Sequence, residues 1–177
     1  MAEKLEAVRI PYPKHWFAMG TIMWAVATTI LVYLSSTAPT EGTRLFWAIV
    51  SAAEGVALFL FFVPPLFTSH WAGKKALRLR MGLLMDASIP YDWVKEVKQT
   101  NVNWGGVRVG IGTRYSALSK TLFVTSEFRD LVAIKLDGEH SLGRVIKVKP
   151  EQIVLSVQEP WKLMELLRDR TGLTEDR

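Results

Sequence analysis

Two stretches decide the class of this chain: WFAMGTIMWAVATTILVYLSSTAPT, residues 16–40, and LFWAIVSAAEGVALFLFFVPPLF, residues 45–67, parted by the polar link Glu41-Gly42-Thr43-Arg44. The first carries no charge and the second carries one, Glu54. About 20 mostly apolar residues at ~1.5 Å rise cross a ~30 Å hydrocarbon core, so each stretch is long enough to span a bilayer. The reading is a two-helix transmembrane hairpin, with spans of about 16–37 and 45–67, inside an N-terminal region of residues 1–73. Residues 74–177 remain for one soluble domain, a usual size for a single core.

The composition agrees with that division. A chain that is 49% hydrophobic with a mean hydropathy of only +0.15 averages an oily segment with an ordinary charged one. A secretory leader is a competing reading of residues 1–40, because Lys4, Arg9 and Lys14 precede the first stretch. Its apolar core is only ~7–15 residues, and here a second span follows at once, so both helices are expected to stay.

Orientation follows from positive charge, which collects on the cytoplasmic flanks of spans. Lys4, Arg9 and Lys14 precede the first span, Lys74, Lys75, Arg78 and Arg80 follow the second, and only Arg44 lies between them. Both termini are therefore expected in the cytoplasm of a multi-pass protein of the cell (inner) membrane. Trp16 and Trp71 would mark the inner interface, and Tyr33 and Trp47 the outer one. Pro64-Pro65 is expected to break the second helix and leave a hinge, since neither residue donates a backbone hydrogen bond.

Glu54 falls near mid-bilayer, where a carboxylate is costly and normally faces a partner or water. Thr28 or Thr29 on the first span would stand at its level. Small residues at four-residue spacing, Thr21, Ala25 and Thr29 on one span and Ser51 and Gly55 on the other, suit close helix approach. Glu54 thus reads as part of an intramembrane interface with Thr28, Thr29, Ser51 and Gly55. The alternative is a titrating group in an oligomeric ion or proton transport component.

From Ala76 the pattern turns to short β-branched and aromatic runs cut by Gly, Asp and Asn, the signature of an antiparallel sheet. Seven strands are expected: Ala76–Met81, Leu83–Ala87, Trp93–Gln99, Val107–Gly112, Thr121–Thr125, Leu131–Leu136 and Ile153–Val157, with 144–148 as an extra ladder. Asp137-Gly138 signals a tight hairpin. A helix from Pro160 to Arg170, with Gly172 as its stop, carries the stripe Trp161, Met164 and Leu167 with Leu163 beside it.

Three segments, Trp104-Gly105-Gly106-Val107-Arg108-Val109-Gly110, Asp130 to Leu136, and Ile153 to Pro160, resemble the bacterial and archaeal pleckstrin-homology-like domains found behind two membrane spans. That resemblance implies an α+β membrane protein in which the hairpin is followed by a small, partly open antiparallel β-barrel capped by a C-terminal helix. It also implies a binding or assembly module without shared catalytic residues, so no functional residue is carried over.

Little chemistry is legible. The glycine run Gly105 to Gly112 sits among strands and not between a strand and a helix, so a nucleotide-binding loop is not expected there. The absence of cysteine excludes sulfur-based zinc sites and disulfides. His15, His70 and His140 lack helical metal-pair spacing, and His15 and His70 are expected at the membrane surface. No enzyme activity, cofactor, metal, small-molecule substrate or nucleic-acid partner is indicated. The basic balance of residues 74–177, 18 Lys or Arg against 13 Asp or Glu, instead suits anionic headgroups. Lys74, Lys75, Arg78, Arg80, Arg108 and Arg114 are the candidate headgroup or partner contacts. The expected function is a scaffold or accessory subunit binding a membrane-protein partner, itself or lipid headgroups.

Overall fold

A computed structural model describes residues 7–83, 85–100, 111–144 and 147–173. The chain forms two compact units, one built from 14–67 and the other from the residues on either side. The sequence reading drew one boundary at 73/74. The second unit instead takes in both the segment ahead of the helices and the strand just after them.

In the helical unit, α1 runs His15–Thr37 and α2 runs Glu41–Ala57; α2 continues through a π turn, Leu58–Phe62, into α3, Val63–Phe67. The two resulting rods, of 23 and 27 residues, are each long and apolar enough to cross a membrane. They pack as an antiparallel pair, and apolar side chains such as Ile22, Met23, Ile49 and Phe59 stay exposed around it. Glu41 to Arg44 is not a link but the first turn of α2, because Pro39 stops α1 and Thr40 caps α2 by accepting from Thr43 N–H at 3.2 Å. Arg44 folds back onto this turn, its Nε donating to the Ala38 carbonyl at 2.9 Å.

Pro64-Pro65 does not end the second rod. The residues before it widen to π geometry, with Val63 N–H reaching back to the Leu58 carbonyl, and both prolines then occupy the opening turn of α3, where a missing N–H costs least. At the rods' open end Lys14 Nζ donates to the Leu66 carbonyl, placing a cation where the helix dipole is negative.

Of the small residues at four-residue spacing, Ser51 is the buried position of α2, while the tightest glycine approach is at Gly20. A Cβ on Gly20 would lie 2.6 Å from the Phe62 ring, whereas one on Gly55 would meet nothing within 4 Å. The Phe62 ring in turn stacks at 5.2 Å against Trp24. Gly20→Ala is expected to lower the hairpin's stability in detergent by ~1–2 kcal/mol through overpacking, and Phe62→Leu to restore most of it. A thermal-unfolding double-mutant cycle measures this coupling; additive effects would refute the contact.

Among the described residues the other unit is built of β-strands, one 3₁₀ turn and a last helix. One sheet has the order β1(Val8–Ile10)-β2(His70–Ala72)-β3(Ala76–Met81)-β4(Met85–Pro90), antiparallel throughout. A single 3₁₀ turn, Tyr91–Trp93, leads into the second sheet. Its strands are β5(Val94–Thr100), β6(Gly112–Ser116), β7(Thr121–Thr125), β8(Leu131–Leu136) and β9(Gln152–Ser156), ordered β5-β8-β9-β7-β6. The fold is therefore α+β with two sheets and not a closed barrel. Nor is it wholly antiparallel: β9 slots between β8 and β7, pairing antiparallel to the first and hence parallel to the second.

Three expected strands, β3, β7 and β8, fall where the sequence put them, and β5 and β9 are displaced by one residue. The strand expected over 83–87 is shifted to β4 because Gly82, at φ 64°, takes the turn. The strand expected over 107–112 lies mostly outside the described residues, as do 145–146 of the 144–148 ladder, of which Val148 bridges to Leu142. No tight hairpin forms at Asp137-Gly138. Gly138 is not among the glycines at positive φ, and Asp137 N–H bonds the Trp93 carbonyl at 2.9 Å, so 137–151 make a wide connection.

Leu77, Leu79, Ile89, Leu131, Ile134, Ile153 and Leu155 are buried in the β-domain. The closing helix α4, Pro160–Thr171, packs on β5 and β8 and ends at Gly172, φ 70°, whose N–H returns to the Arg168 carbonyl. Its buried positions are Leu163 and Leu167; Trp161 stands 58% exposed with Lys162 Nζ over its ring. Of the expected stripe, Leu163 and Leu167 are covered and Met164 is half-buried, and Trp161 departs from it.

Candidate functional site

The least expected feature is a polar seam where β1 meets β2. Strand β1 reaches this place because Arg9 and Ile10 pair across to Trp71 and His70. Beyond Ile10 the chain turns Tyr12 inward, fully buried, with its hydroxyl 2.7 Å from Thr68 Oγ1. The same Thr68 oxygen accepts Gly82 N–H at 2.9 Å, so one hydroxyl ties three segments together. Burial pushes the Tyr12 phenol above its usual range, against the opposing pull of Thr68. Arg9 Nε adds a bond to Ser69 Oγ at 3.1 Å.

His70, expected to meet headgroups, instead sits in this seam at 0% exposure. Its Nδ1 accepts the backbone N–H of Arg80 at 3.1 Å, which leaves the proton of the neutral ring on Nε2. That atom is buried with no hydrogen-bond partner among the described residues, and the Tyr12 ring lies tilted at 5.0 Å. Burial lowers the His70 pKa to about 4, because nothing nearby repays the desolvation of an imidazolium.

On β3, burial alternates: Leu77 and Leu79 point inward and Arg78 and Arg80 outward. Arg78 is committed to Asp86 across the strand pair by a bidentate bridge, Nε to Oδ1 at 2.8 Å and Nη2 to Oδ2 at 2.6 Å. That bond, with the charges of Arg78, Arg80 and Arg144, holds the Asp86 carboxyl below the usual range in spite of some burial. A headgroup would have to compete with Asp86 for Arg78. Lys74 and Lys75 are exposed in the β2–β3 turn, at the end of β2 away from His70. Arg114 lies on β6, an edge of the other sheet, and Arg108 falls outside the described residues. The five candidate contacts among the described residues do not gather on one element.

The set expected at an intramembrane interface lies on α1 and α2. Thr28 and Thr29 spend their hydroxyls on their own helix, bonding the Trp24 and Ala25 carbonyls, and Ser51 does the same with Trp47 at 2.7 Å. The Glu54 side chain, half-buried on α2, has no hydrogen bond or ion pair among the described residues. Among those residues no group of three His, Asp or Glu could hold a metal ion. His140 stacks on Trp93 at 3.9 Å, with Asp137 on its Nε2. Lys120 bridges Glu139 and Glu151, both at 2.7 Å, and these two acids hold its ammonium charged beyond the usual lysine range.

Sequence reasoning missed the seam because β1 and β2 are three residues each, shorter than periodicity resolves. The only available signal was Tyr12 between two prolines just ahead of the first span. Compared with known protein families, characterised proteins and solved structures, the chain has no match.

Proposed function

We propose that this chain is an integral membrane scaffold or accessory subunit: the helical hairpin crosses the inner membrane twice, and the β-domain binds a membrane-protein partner, a second copy or lipid headgroups from the cytoplasmic side. The supporting observation is the connectivity. Both ends of an apolar hairpin with exposed flanks run directly into adjacent, paired strands of one sheet, β1 and β2, so the domain is built around its own anchor. A fusion of an independent domain to a leader would not need that pairing. The pleckstrin-homology-like reading draws on the order strand, strand, closing helix from β8 through α4.

Glu54 supports self-association or a membrane-protein partner over solitary function, since a carboxylate left unmatched within the hairpin seeks its match on another chain. The basic flanks support a cytoplasmic placement of both termini. The test is alkaline washing of membranes, external labelling of intact cells, and purification in mild detergent. Retention in the membrane, protection of both termini and a stoichiometric second polypeptide or oligomer are expected. Release by alkali or labelling of either terminus overturns the anchoring. Proton or cation flux in liposomes that is lost in Glu54→Gln would favour the transport alternative.

A further inference from the structure

The seam fixes where one turn of the β-domain must lie. The chain leaves the second helical rod at Phe67 and begins β2 at His70, three residues later, a reach of at most ~10 Å. It enters the first rod at His15 after β1 ends at Ile10. Both crossings therefore occur at the same end of the first sheet, where Ile10 pairs His70. Strand β3 runs past that end, since Trp71 is level with Arg78 and β3 continues to Met81. The β3–β4 turn is thus carried beyond His70, and Gly82 N–H is pinned to Thr68 Oγ1 at 2.9 Å. Thr68 is the residue covalently next to Phe67, so this turn is held within one hydrogen bond and one peptide of the helix exit.

The turn has the wrong chemistry for water. Surface turns favour Gly, Asn, Asp, Ser and Pro, and Gly82 fulfils that role at positive φ. Its neighbour Leu83, however, is 50% exposed. One strand inward, Trp71 is 40% exposed and is paired on either side with Arg9 and Arg78, while Arg80 projects from β3 next to the turn. An apolar tip, then a tryptophan among arginines, is the sequence of chemistries met on leaving the acyl chains through the headgroups.

We propose that the β3–β4 turn is a third membrane contact, Leu83 entering the headgroup–acyl boundary of the bilayer that holds the hairpin, with Trp71 and Arg80 at the level of anionic headgroups. This rests on the anchoring proposed above and adds to it the edge of the domain that faces lipid.

The chain has no cysteine, so single cysteines can be labelled cleanly. Leu83→Cys, Ile30→Cys and Leu118→Cys, the last at a fully exposed hairpin tip of the other sheet, each carry an environment-sensitive NBD dye. The full chain is reconstituted in equimolar phosphatidylcholine and phosphatidylglycerol with doxyl-labelled lipid. Blue-shifted, quenched emission is expected at positions 30 and 83 and not at 118. Quenching at 30 without 83 overturns this inference and leaves the anchoring intact; quenching at neither overturns both. Equal quenching at 83 and 118 means that the domain has no preferred edge and also overturns it. Replacing phosphatidylglycerol with phosphatidylcholine is expected to weaken quenching at 83 in the native background, and to do so less in Arg80→Gln.

Discussion

Lowering the pH from 7 to 4 is expected to destabilise the β-domain by about 3 kcal/mol through one residue, His70, and His70→Asn is expected to remove that part of the loss. An unfolded histidine titrates near 6.5, while burial lowers the folded one to about 4. Above the unfolded value both states are neutral and the group adds no pH dependence. As pH falls through 6.5 the unfolded chain takes up a proton that the native chain refuses, so stability drains until about pH 4, below which the two states again bind alike. Some 2.5 units at ~1.4 kcal/mol each give ~3.5 kcal/mol in full, of which about 3 is reached by pH 4, where the native ring is half-protonated. The described surroundings supply no rescue: Nδ1 is occupied by Arg80 N–H, Nε2 has no partner among the described residues, and Tyr12 is a neutral phenol. Asparagine can present Oδ1 to the Arg80 N–H without titrating. Asp86 also loses its bridge to Arg78 in acid, at lower pH because its carboxyl is held below the usual range, and that loss is common to both variants. The difference between their thermal-unfolding curves in detergent across pH 7 to 4 isolates His70. Parallel curves would show that the imidazole reaches water or a counter-charge.

What the sequence made legible followed from long, strong patterns. Two apolar runs above twenty residues read as helices long enough to cross a membrane, and they form helices of that length and composition; the alternation Leu77-Arg78-Leu79-Arg80 assigned both face and strand, as the burial of β3 bears out. The strands at 121–125 and 131–136 were readable because each is a run of β-branched and apolar residues bounded by turn residues. The illegible parts share a physical cause, which is pairing between residues distant in sequence. Strand β1 exists only because β2, sixty residues on, supplies its partner. His70 appears as a surface histidine until Tyr12 and Arg80 close over it. Asp137-Gly138 has the composition of a hairpin turn, yet the competing bond from Asp137 N–H to the Trp93 carbonyl is tertiary and invisible locally. The candidate contacts fared likewise: outward projection of Arg78 could be read, whereas its commitment to Asp86 depends on register across the β3–β4 pair.

Leu167→Ala is expected to cost the β-domain ~2–5 kcal/mol, the range for a fully buried leucine whose site cannot collapse, while Trp161→Ala costs well under that despite the larger side chain. Periodicity alone put both residues on one stripe of α4. In the fold Leu167 is 0% and Leu163 2% exposed, against 58% for Trp161, because the helix docks on β5 and β8 along the 163–167 edge. Domains of this size hold only ~5–15 kcal/mol in total, so Leu167→Ala removes a large share and opens the strands beneath α4 to solvent. Limited proteolysis of the protein in detergent should then cut the β-domain, with resistance restored in Leu167→Met, which conserves volume. Since the hairpin, residues 14–67, is a separate compact unit, resistance of the same variant to alkaline extraction should be unchanged. Joint loss of both properties would mean that the strands β1 and β2, and not the apolar rods, keep the anchor folded; equal sensitivity of Trp161→Ala would mean that α4 sits on the sheet by the face the sequence pattern first suggested.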